Sequence, residues 1–76
     1  MGKYFITSET TEDRFDAADH LHDAMRIART ITQSQEVGDP VNIEHDGVNV
    51  MKFVREPDGT VVEEVLVAPA KRRASA

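Results

Sequence analysis

With 76 residues, a net charge of −5, 39% apolar residues and 30% charged ones, the chain has room for one domain, and a domain this small buries only about 60% of the surface its unfolded chain exposes. It holds no cysteine, which excludes disulfides, thiolate metal centres and thiol redox switches. No stretch approaches the roughly 20 apolar residues a membrane-spanning helix needs, and the few apolar residues of Tyr4 to Ile6, ahead of the polar run Ser8 to Asp13, are too short for a signal-peptide core; the expectation is a soluble, cytoplasmic protein.

The charge is unevenly placed. The first 68 residues hold all 14 acids and six of the nine Lys/Arg, a net −8, whereas Lys71, Arg72 and Arg73 return +3. Phosphate-backbone binding runs on clustered Lys/Arg, so an acidic body with so short a basic tail argues against nucleic acid as the partner.

In chain order, Lys3 to Thr7 reads as a short strand through the aromatic and β-branched character of Tyr4, Phe5 and Ile6. A helix is expected to start in the run Ser8 to Asp13, with Thr10 as cap, Asp13 three residues on, and Glu12 and Asp13 in the first turn where the helix dipole favours negative charge. From Phe15 to Ile31 the apolar residues Phe15, Ala18, Leu21, Met25 and Ala28 recur at steps of three or four, flanked by Ala17, Ala24, Ile27 and Ile31, which predicts one long amphipathic helix. Its polar side would carry Asp16, Asp19 and Asp23, and Gly38-Asp39-Pro40 would stop it.

Beyond Pro40 the apolar period changes to two. Asp46-Gly47 between alternating apolar residues predicts a two-residue type I′ hairpin, and Glu56-Pro57-Asp58-Gly59 predicts a second turn with Gly59 in the left-handed position. Residues 41–45, 48–55 and 60–67 therefore form a meander. The expected whole is an α+β domain over residues 1–68, in the order β-α-β-β-β, with the helix on a three- or four-stranded, mainly antiparallel sheet; residues 69–76 form a loose basic tail. The first strand is expected beside residues 41–45 or beside the last strand.

A two-residue loop at Asp46-Gly47 sets His45 against Val48, Ile43 against Val50 and Val41 against Lys52. The helix would then lie on the face of Val41, Ile43 and Val54. Met51 and Phe53 would stand on the opposite, uncovered face together with Val65 and Val67 from the last strand. Contiguous exposed apolar surface marks an interaction site, so these four residues are the expected anchors of a homodimer or a protein-partner interface. Lys52 should sit across from Glu63 or Glu64.

No arrangement of residue types points to catalysis. His20 and His22 are two apart, about 200° around a helix, so they cannot chelate a metal from one face. The three serines lie in a cap, a helix end and the tail, with no G-x-S-x-G turn, and the glycines are isolated rather than grouped for phosphate binding. No catalytic residue, cofactor or metal is expected. The sequence reads as a small non-enzymatic binding or accessory protein acting through the apolar sheet face. The alternatives are a nucleic-acid-linked regulator using Lys71, Arg72 and Arg73, and an acidic inhibitor or phosphate-backbone mimic presenting Asp16, Asp19 and Asp23 to a basic groove.

Overall fold

The computed structural model describes residues 3–66. Strands β1 (Tyr4–Ser8) and β2 (Arg14–Ala18) are followed by helix α1 (Leu21–Gln33) and then by β3 (Val41–His45), β4 (Val48–Arg55) and β5 (Val61–Val65). The five strands form one sheet in the order β2-β1-β3-β4-β5, and each neighbouring pair is antiparallel. The described residues are thus α+β as expected, but with five strands and the order β-β-α-β-β-β. The first strand does pair with β3; it runs antiparallel to it, because β2 turns the chain round before the helix begins.

The segment expected to open the helix is therefore a strand. Phe15 and Ala18 extend the helical period of the following residues by coincidence, and the pairing of residues 14–18 with β1 overrides that local pattern. The helix starts only at Leu21, preceded by His20 in an extended conformation that makes no side-chain cap. Its buried line is Ala24, Ala28 and Thr32, each four residues from the next. These small side chains bring the helix backbone close to the sheet, and Met25, Ile27 and Ile31 wedge in on either side. Thr32 satisfies its buried hydroxyl within the helix by donating to the Ala28 carbonyl at 2.7 Å.

Both predicted turns are present. Asp46 and Gly47 have φ of 55° and 80°, the two positive values a type I′ hairpin needs. At the second turn Gly59 has φ of 91°, and its N–H donates to the Glu56 carbonyl at 2.9 Å. The Asp58 carboxylate accepts from the Thr60 backbone N–H at 2.9 Å, which lowers its pKa from the ordinary aspartate value. Asp19 is lowered as well, by its hydrogen bond and ion pair with Lys3. A carboxylate depressed in the folded state contributes stability that is complete above its unfolded pKa and is lost as pH falls through the folded value. The urea midpoint should accordingly fall on acidification below about pH 4, and Asp58→Asn, which cannot titrate, should flatten part of that fall.

The register between β3 and β4 corrects the expected faces. His45 does oppose Val48, but Ile43 opposes Met51 and Val41 opposes Phe53. A bulge lies between, with Val50 as the extra residue, and one inserted residue moves everything beyond it to the other side of the sheet. Met51 and Phe53, expected on the uncovered face, are consequently under the helix, 6% and 0% exposed, in one core with Ile6, Val41, Ile43, Ala24 and Ala28. Between β4 and β5 the register is one of the two expected, Lys52 across from Glu64.

Candidate functional site

The face of the sheet away from α1 carries Phe5 and Thr7 of β1, Asn42 and Glu44 of β3, Lys52 and Val54 of β4, and Val62 and Glu64 of β5, as the pairings Thr7 with Asn42, Asn42 with Lys52 and Lys52 with Glu64 require. Among the described residues no helix or strand covers it. It is mixed in character: Arg14 stacks its guanidinium over the Phe5 ring at 3.8 Å, and polar side chains dominate its centre.

There the β1–β2 turn rises beside the sheet and leaves a groove of about 430 Å³ lined by Thr7, Ser8, Glu9, Glu12, Asn42, Glu44, Gly47 and Asn49. The turn is held by the Ser8 N–H donating to Asp13 O and the Glu12 N–H donating to Ser8 O, both at 2.8 Å, and by the Thr11 N–H donating to Ser8 Oγ at 3.2 Å. Glu12 takes φ of 65°, a left-handed conformation that costs a residue with a Cβ about 1–2 kcal/mol. Replacing it by glycine should raise the unfolding free energy by up to about 1 kcal/mol, the relief being partly offset by glycine's larger entropy loss; a urea denaturation series checks this.

Three carboxylates, Glu9, Glu12 and Glu44, therefore line one groove. The Lys52 ammonium lies 3.6 Å from Glu9, so Lys52 reaches toward the groove rather than to Glu64, its partner in register. The remaining charge is negative. At the sheet side lies Asn42, only 4% exposed. Its Nδ2 donates to Glu9 Oε1 at 3.3 Å, while its Oδ1 is buried and accepts no hydrogen bond. A buried acceptor left unmatched costs about 1–3 kcal/mol, so this oxygen favours any donor that can reach it. The groove is thus walled by anionic residues, with the Asn42 amide oxygen buried at its sheet side.

The residues singled out from sequence fall elsewhere. Val65 is 63% exposed on edge strand β5, and Val67 lies outside the described residues, as do Lys71, Arg72 and Arg73. Asp16, Asp19 and Asp23 do not share a helix face: Asp16 is on β2 opposite Ile6, Asp19 pairs with Lys3 at 2.8 Å ahead of the helix, and Asp23 pairs with Arg26 at 3.1 Å in the helix's first turn. Tyr4 and His45 stack with ring centroids 4.0 Å apart. Among the described residues there is no group of three or more His, Asp or Glu placed to hold a metal ion, and no helix is long and apolar enough to cross a membrane.

The groove is hidden in the sequence because the run Ser8 to Asp13, which suits the start of a helix, is the turn between β1 and β2. One signal was present: the run of polar residues from Ser8 to Asp13 suits a turn as well as a cap. Comparison with known proteins adds nothing to the geometry: no protein-family model, curated protein or solved structure matches the chain.

Proposed function

We propose that this is a small binding protein whose open sheet face recognises a positively charged segment of a protein partner, seating a Lys or Arg side chain in the groove between the β1–β2 turn and β3. The observation that carries this reading is the unmatched, buried Oδ1 of Asn42 beside Glu9, Glu12 and Glu44. A guanidinium presents five N–H donors in a plane and retains its charge at all physiological pH, so it can satisfy carboxylates and an amide oxygen together. The same charges repel phosphate, which sets this face apart from a nucleic-acid surface.

Binding of a fluorescently labelled tri-arginine peptide, followed by anisotropy, tests the reading. Saturable binding that weakens as salt is raised from about 0.02 to 0.2 M is expected, because partly exposed charges are screened over about 10 Å at 0.1 M. A tri-glutamate peptide should not bind. Absence of tri-arginine binding at low salt would end the proposal.

A further inference from the structure

The groove and the basic end of the same chain are close enough to meet. Leu66 donates its N–H to the Val50 carbonyl at 3.0 Å, so the chain leaves the described structure next to Asn49, which lines the groove. Lys71 is five residues and Arg73 seven residues beyond Leu66, a reach of about 17–25 Å at about 3.3–3.6 Å per residue. From β5 to β1 the sheet spans three strand spacings, about 14 Å. The charges are complementary, with Lys71, Arg72 and Arg73 against Glu9, Glu12 and Glu44.

Resting on the reading of the groove as a cation site, we infer that Lys71–Arg73 occupies it intramolecularly in the free protein and must be displaced by an incoming partner. The basic tail is then an internal competitor: a tethered ligand acts at an effective concentration of order millimolar, so a partner must exceed it in affinity to enter. On β5, Glu63 is already paired with Arg29 and Glu64 stands alone, whereas the groove brings together Glu12 and Glu44, neither in an ion pair among the described residues.

The full chain and its K71Q/R72Q/R73Q variant provide the test. The absence of cysteine makes Ser75→Cys a unique attachment point for a nitroxide. In the native background the label should broaden the amide resonances of Asn42, Glu44 and Asn49, and this broadening should vanish in the triple variant. The same variant should bind labelled tri-arginine about threefold or more tightly. Broadening that is absent, or unchanged by the triple substitution, would overturn the tail inference while tri-arginine binding leaves the groove standing. Broadening seen only between labelled and unlabelled molecules in a mixture would also overturn it, placing the tail in a second copy. If neither chain binds tri-arginine, the groove reading fails together with the inference.

Discussion

Truncating Phe53 to alanine is expected to destabilise the domain by about 3–5 kcal/mol, the range for removing a large aromatic side chain from a closed core. Phe53 is 0% exposed and packs beneath the helix with Val41, Ile43 and Ile6. A chain of 76 residues has a total stability of order 4–11 kcal/mol at about 0.05–0.15 kcal/mol per residue, so the variant should be largely unfolded or very close to its midpoint at 25 °C. Far-ultraviolet circular dichroism against urea reads this directly. Phe53→Asp should be worse, since it adds a buried carboxylate to the cavity. Had Phe53 stood on an open face, either variant would have kept its fold and changed only self-association. The contrasting substitution is Val65→Ala: with Val65 63% exposed, it should change stability by no more than about 0.5 kcal/mol.

The second large effect is on binding. The double variant Glu12→Gln, Glu44→Gln keeps the shape of the groove while replacing two of its three carboxylates by neutral amides, each with a single acceptor oxygen. A hydrogen bond to a charged partner is worth about 1.5–3 kcal/mol, so affinity for tri-arginine should fall about tenfold or more for each contact that is lost. Stability should hardly change, because neither carboxylate is in an ion pair among the described residues. Glu12→Gly separates the two roles of that residue: relief of the positive φ raises stability while loss of the carboxylate weakens binding. A variant that gained both stability and affinity would contradict the assignment of Glu12 to the site.

Much of the fold was legible, and the failures have identifiable causes. The two turns were readable because their chemistry is local: Asp46-Gly47 and Pro57-Asp58-Gly59 demand particular φ values whatever surrounds them. The helix was found but begun too early. Phe15 and Ala18 lie in phase with it, and the pairing that makes residues 14–18 a strand is made with β1 across a turn, out of reach of a periodicity count.

The face assignment failed at one residue. The apolar positions of β4 are Val48, Val50, Met51, Phe53 and Val54, with adjacent apolar residues at Val50-Met51 and at Phe53-Val54. At Val50-Met51 a bulge turns two consecutive side chains to the same side, whereas Phe53 and Val54 alternate in regular register. A bulge assigned at Val50 would have placed Met51 and Phe53 in the core and left the polar residues Asn42, Glu44 and Lys52 on the open face. The groove required one thing more, the left-handed turn at Glu12 that places this residue on the groove Asn42 and Glu44 also line, and Glu is not a residue whose type announces a positive φ. Strain of this kind gathers at functional sites when the surrounding structure holds it in place, and here the Ser8 carbonyl and hydroxyl do so.

The most direct measurement is the map of backbone amide shifts as tri-arginine is added to the isotopically labelled protein at low salt. Shifts should centre on Thr7 to Glu9, Glu12, Asn42 to Glu44 and Asn49, with Ala24, Ala28 and Thr32 on the buried side of the helix unmoved. Shifts centred instead on Asp19 and Asp23, or on the exposed end of β5 at Val65, would contradict the groove as the binding site.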